Sequence, residues 1–416
     1  MNYNNNMKKI VAFIIAIAVF NGLTAQVKPG VEVLQDKHFK ALKGKRVGLI
    51  TNPTGVDRNL KSTIDILFQA PNVNLVALFS PEHGIRGNIT AGGQIADSTD
   101  PLTGLPVYSL YGANKKPSPK MLKGIDVLVY DIQDIGCRSY TYISTMGLAM
   151  EAAAENNIEF VVLDRPNPLG GNHFEGQPYI EPGLSSFVGQ FPITYVYGFT
   201  IGELATYLNK GRLLKNGIQC KLTVIKMKGW KRKMNFDATG LPWVISSPHV
   251  PHAMTAYFYA ISGILGELYT LNIGVGYTLP FELFAADWID AEKLASNLNA
   301  LNIPGVRFRP IHYKPYYGSK KDVNLNGVQT YITDFNTIPL TLIQFYVLQE
   351  CHKLYPNRNV FKMCDPSRLT MFDKVCGTSL IREAFSKSFT VRSIQGIWNR
   401  DVDNFKEKAK HYFLYK

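Results

Sequence analysis

Glu82 and His83 follow directly on an apolar run, Val73 to Phe79, with Pro81 in front and Gly84 behind. Proline fixes its own φ and glycine permits a sharp reversal, so the segment reads as a rigid turn at the end of a buried strand. A plain surface turn needs neither an acid nor an imidazole. A carboxyl held against apolar neighbours is raised in pKa, as a general acid requires, so Glu82 is a candidate catalytic residue. His83 is placed to tune it or to touch substrate.

Similar clusters follow three other apolar runs. Asn52 stands after Val47–Thr51, Asp131, Gln133 and Asp134 after Asp126–Tyr130, and Asp164, Arg165 and Asn167 after Phe160–Leu163. Asp131 is a second candidate carboxylate, and Asp134 reads more simply as a member of an ion-pair cluster. Arg138 and Arg165 could grip a substrate carboxylate with two parallel hydrogen bonds. Tyr140, Thr141 and Tyr142 offer an aromatic wall for a sugar ring. Carboxylates, arginines, aromatics and amides facing one cleft suit glycoside cleavage. The spacing of Glu82, His83 and Asp131 gives little support to a metal site, and no metal or cofactor is expected.

Strands at 45–51, 73–79, 126–130, 160–163, 193–196 and 221–225 alternate with helices at 60–70 and 143–156. Thr200 and Glu203 form a capping box that opens another helix. Near-continuous apolar strands separated by helices predict a mainly parallel sheet with helices on both faces. In such sheets ligands bind beyond the carboxyl ends of the strands, where the four clusters lie. The second half is richer in proline and aromatics, with helices expected at 291–300, 339–354, 378–387 and 401–411, and a domain boundary near 275–290. No GxGxxG follows the first strand, and GxxxxGK[ST], GxSxG and HExxH are missing, which argues against nucleotide binding and the common serine and zinc hydrolases.

The 416 residues are 46% hydrophobic and 19% charged, the composition of a globular protein. Lys8 and Lys9 precede an apolar run, Ile10 to Phe20, and the small residues up to Ala25, a pattern that predicts a secretory signal peptide over residues 1–25. The run is too short to anchor the chain stably in a membrane. The expected location is periplasmic or secreted. The formal charge of +13 becomes +11 once Lys8 and Lys9 are removed, since the leader carries no acid. The lysines do not form a block with interleaved aromatics, so no nucleic-acid partner is expected. Five cysteines with no CxxC leave at least one thiol unpaired; Cys364 and Cys376 are a possible pair.

Several stretches together resemble one family. They are Pro81–Gly87, Thr103–Gly112, Asp131–Gly136, Arg138–Tyr142, Asp164–Gly171, Gly229-Trp230 and Thr239–Trp243. In this order they are similar to the exo-β-N-acetylmuramidases of peptidoglycan recycling, glycoside hydrolase family 171. The resemblance implies a Rossmann-like catalytic domain over residues 26–280 and a smaller C-terminal α/β domain over 281–416 that closes the cleft. It implies release of N-acetylmuramic acid from the non-reducing end of peptidoglycan-derived saccharides, with the Glu82 motif central. His83, Arg86, Asn52, Gln133, Arg138, Tyr142, Asp164, Arg165 and Asn167 form the expected substrate shell. The chain departs from the family pattern at Ser247–Pro251 and at Ile273–Thr278, where the family's loop glutamate and arginine are missing and Glu267 remains. The second catalytic group is then Asp131, Glu267 or the substrate's own N-acetyl group. A non-catalytic glycan-binding relative and a hydrolase of another amino sugar stay open.

Overall fold

The computed structural model describes residues 26–86 and 97–416. The expected leader lies outside the described residues. Among the described residues no helix is long and apolar enough to cross a membrane.

Seven strands form the main sheet: β1 (Arg46–Thr51), β2 (Asn74–Ser80), β3 (Ser98–Thr99), β4 (Pro106–Ser109), β5 (Val127–Asp131), β6 (Glu159–Leu163) and β7 (Lys221–Ile225). Their order is β3-β4-β2-β1-β5-β6-β7, and all pairs are parallel except β3 with β4. The alternation of side chains along each strand feeds two cores. Leu128, Tyr130, Phe160 and Val162 face one side, with the helices Tyr142–Glu155 and Ile201–Lys210. Val127, Val129, Val161 and Leu163 face the other, with Gly30–Asp36 and Thr63–Gln69. Thr200 and Glu203 close the capping box on Ile201–Lys210.

The segment 193–196 is not a strand. Val196 makes only isolated bridges, to Cys137 and Glu175. Its carbonyls and amides serve a buried junction instead, where Arg138 takes the Ile193 carbonyl.

A second, antiparallel sheet holds β8 (Leu283–Ala286), β9 (Val306–Tyr313) and β10 (Leu325–Ile332) in the order β8-β10-β9. Helix Ala291–Ala300 packs on β9 and β10, and helices Ile343–Leu354, Pro366–Cys376, Leu380–Ser388, Val391–Trp398 and Val402–Ala409 complete the second half. The helix Thr255–Gly266, read from sequence as part of the first domain, packs on Ile343–Leu354 and Pro366–Cys376 of the second half. The chain's end returns to the main sheet: Tyr415 donates to Asp164 at 2.5 Å, and the Leu414 amide donates to Glu203 at 2.8 Å. All five cysteines are free thiols, so Cys364 and Cys376 are not joined.

Candidate active site

The strand order reverses between β1 and β5, the place where open α/β sheets usually bind ligands. Here that crevice is filled by protein. Asp131, at the end of β5, is fully buried and takes both Nε (2.5 Å) and Nη2 (2.9 Å) of Arg165. Thr63 adds a hydroxyl at 2.5 Å. Arg165 completes its bonds on the Val56 carbonyl. The β1-end turn approaches so closely that a Cβ on Gly55 would lie 2.1 Å from Thr51 Oγ1. Phe236, Leu241, Pro242 and Val244 roof the strand ends over Thr54, Val56 and Gln133, leaving a cavity of about 20 Å³. That is room for about one water.

Several expected substrate residues are therefore structural. Asp131 is consumed by its ion pair and faces no open space. Arg138 is fully buried and donates to the carbonyls of Gln177, Ile193, Val375 and Cys376 at 2.7–3.2 Å. It ties the two halves together, and burial pulls its guanidinium down to about 10. Gln133 bridges the Asp134 and Pro166 carbonyls. Asn167 binds the Phe199 carbonyl and the Leu169 amide. Asp164 accepts from Thr200, Gly202, Arg165 and Tyr415, and burial pushes it up to about 7. Arg86 is drawn back to Asp100 at 2.7 Å, beside Thr103 and ahead of β4, away from the edge where β2 ends. The Tyr140–Tyr142 pair is no open stacking wall: the rings meet edge to face at 4.9 Å and both are buried. Their hydroxyls bind Ser246, Tyr140 at Oγ and Tyr142 at the carbonyl.

The edge beyond β2 and β4 is different. The Gly84 amide bonds the Pro81 carbonyl at 3.2 Å, closing a turn with Glu82 and His83 at its centre. His83 has φ +72°, in a turn position that normally takes glycine or asparagine. A strained histidine of this kind persists only where its surroundings hold it, and such residues concentrate at functional sites. The turn leaves Glu82 half-buried. Thr141, at the start of Tyr142–Glu155, donates to Glu82 Oε2 at 2.7 Å. The Tyr111 hydroxyl is also hydrogen-bonded to Glu82, and burial, then this bond, pushes the Tyr111 phenol above its ordinary value. Hydroxyls, rather than apolar side chains alone, thus hold the carboxyl. Asn52 lies beside the Tyr142 hydroxyl, with its Nδ2 making no well-formed hydrogen bond.

His249, in the divergent Ser247–Pro251 stretch, lies near His83; burial, then His83, lowers its pKa. It stacks on Tyr317 of the second half, with Nε2 and the Tyr317 hydroxyl 2.9 Å apart. Glu267 accepts from Arg368, whose Nε also donates to the Glu267 carbonyl at 2.6 Å. Burial raises Glu267 while Arg368 opposes the rise. Among the described residues no group of three His, Cys, Asp or Glu is placed to hold a metal ion.

Tyr111 and Thr141 are the partners that reasoning from single positions missed. Both lie inside quoted motifs, but β4 is four residues long and gave no strand signal of its own. Had it been read as a strand, Tyr111 would have stood just past a further strand end.

A carboxyl held by two hydroxyls on a strand-end turn of a mainly parallel α/β sheet is an arrangement suited to proton transfer. Comparison with known proteins gives the family. Residues 47–254 match the N-terminal domain of the exo-β-N-acetylmuramidase NamZ, and residues 257–415 match its C-terminal domain. The chain belongs to this family. The peptidoglycan β-N-acetylmuramidase NamZ of Bacillus subtilis (strain 168) is 43% identical over 423 residues, spanning 98% of this chain and all of the relative. Two DUF1343-family crystal structures from Bacteroides fragilis NCTC 9343 share the fold, each covering 94% of this chain and 99% of its own. One is 59% identical with a TM-score of 0.90, the other 30% identical with 0.72.

Proposed function

We propose that this protein is a glycoside hydrolase that removes N-acetylmuramic acid from the non-reducing end of peptidoglycan fragments, with Glu82 as the proton-transferring carboxyl. The observation that carries the reading is the placement of Glu82: a carboxyl on a rigid strand-end turn, held by Thr141 and Tyr111. The name of the 43% identical relative gives the substrate class.

The other acids considered from sequence are otherwise engaged. Asp131 is locked to Arg165, Asp134 and Asp164 are buried, and Glu267 is tied to Arg368. The nucleophile is then the substrate's own 2-acetamido group, as in known exceptions to the two-carboxylate scheme. Its carbonyl oxygen attacks C1 as the bond to the leaving oxygen breaks, and that oxygen takes the proton of Glu82. Water then opens the oxazolinium ring and returns a proton to Glu82. Two displacements at C1 retain the β configuration. The charged and apolar pattern of residues 1–25, read as a secretory leader, supports a location in the periplasm or beyond.

The test incubates residues 26–416 with a chromogenic β-N-acetylmuramide, beside Glu82→Gln. Turnover is expected in the parent, with a loss of roughly 10²- to 10⁴-fold in the variant. A folded Glu82→Gln enzyme with full turnover would remove Glu82 from the mechanism.

A further inference from the structure

A muramide differs from a glucosaminide by a lactyl ether on O3, which ends in a carboxylate. An enzyme that selects for it needs a cation beside the sugar site. The arginines expected for this work are engaged elsewhere: Arg165 on Asp131, Arg138 on four carbonyls, Arg86 on Asp100.

The loop after β4 supplies a replacement. Lys115 and Lys116 are adjacent, but their fates differ. Lys116 reaches down to the helix Tyr142–Glu155, bonding Glu155 at 2.7 Å and Glu151 at 3.4 Å. That anchors the loop. Lys115 is exposed, and no carboxylate among the described residues pairs with it. Its Nζ stands 4.9 Å from the centre of the Phe187 ring. Phe187 is fixed in turn, because its carbonyl accepts from Ser144 at 2.8 Å in the first turn of the same helix. The Phe187 and Tyr111 rings are 6.1 Å apart, and the Tyr111 hydroxyl bonds Glu82. A continuous surface of ammonium, phenyl and phenol therefore leads to the proposed catalytic carboxyl.

We infer that Lys115, held on the face of Phe187, binds the lactyl carboxylate of the substrate and sets the preference for muramides over glucosaminides. The inference rests on the muramidase reading above. A ring under an ammonium restrains it and removes part of its water while leaving N–H donors for an anion. A carboxylate arriving there gains a charge-assisted hydrogen bond. Phe187 and Tyr111 together offer an apolar floor to the lactyl methyl group and the sugar ring.

The experiment measures kcat and KM for a chromogenic β-N-acetylmuramide and its glucosaminide counterpart in the parent, Lys115→Ala and Lys115→Arg. Lys115→Ala is expected to raise KM for the muramide roughly 10- to 100-fold, with kcat changing much less, and to lower the muramide-to-glucosaminide ratio by the same factor. Lys115→Arg should restore most of the loss. Added salt should weaken muramide binding in the parent more than in Lys115→Ala. An unchanged ratio in Lys115→Ala overturns the inference. If the parent cleaves neither substrate, the muramidase reading fails by itself. Calorimetry with N-acetylmuramic acid and N-acetylglucosamine then judges Lys115 separately: a preference for the acid that Lys115→Ala abolishes supports the site, and equal affinities in the parent overturn it.

Discussion

Replacing Asp134 by asparagine should reshape the pH dependence of stability. Asp134 is buried, and Tyr197 and the Gly136 amide both donate to its Oδ1. Its Oδ2 makes no well-formed hydrogen bond. Burial pushes the carboxyl from 3.8 up to about 7, against the pull of those hydrogen bonds. A folded-state value above the unfolded one means that the stability contributed by the protonated form is complete below pH 3.8 and is lost as pH rises through about 7. The whole effect is on the order of 4 kcal/mol, of which roughly 2.5 kcal/mol falls between pH 5 and pH 8. For about 400 residues unfolding together, 1 kcal/mol moves Tm by about 1 °C, so the expected Asp134 share is about 3 °C. Asparagine keeps an Oδ1 acceptor for both donors and cannot ionise. Asp164, also near 7, is present in both proteins, so its slope cancels in the comparison. Thermal unfolding at half-unit steps from pH 5 to pH 8 should show a shallower decline for Asp134→Asn, with its Tm gaining on the parent towards pH 8. Parallel curves for the two proteins would refute the reasoning.

Three further outcomes follow from the site. Tyr111→Phe and Thr141→Val should each lower kcat roughly 10- to 100-fold with little change in KM, since each removes one hydrogen bond to a carboxylate; steady-state kinetics on the muramide decides it. Arg165→Met should lower stability by about 3–5 kcal/mol by leaving Asp131 buried without its cation, whereas Arg165→Met with Asp131→Leu should recover much of that; urea unfolding measures both. An N-trifluoroacetyl muramide should turn over far more slowly than the N-acetyl substrate, because the weakened carbonyl oxygen is the proposed nucleophile; equal rates would exclude it.

Much of the scaffold was legible. The runs at β1, β2, β5 and β6 are largely apolar on both faces and β7 alternates apolar with polar at the sheet's edge, so their type follows from local pattern. The capping box at Thr200 and Glu203 also appeared where the spacing put it. The family resemblance implied a second α/β domain, but the strands of its sheet had no local signal, for a physical reason. Pro310 lies in the middle of β9, and proline argues against a strand unless its missing N–H faces outward. β9 is an edge strand, where that is allowed.

The candidate site was legible only in part. Sequence by itself placed Glu82 at the end of a buried strand on a constrained turn, because that depends on a few consecutive residues. It placed Asp131, Arg165 and Arg138 at the same edge and could not tell them from Glu82. Tertiary structure decided their fates: Asp131 found Arg165 34 positions away, and Arg138 found carbonyls as far as Cys376. A polar group leaving a strand end either meets solvent or must be matched by a buried partner. Local pattern puts the group at the edge, and only the distant segments folded over it determine whether it is left open to a substrate or neutralised within the protein.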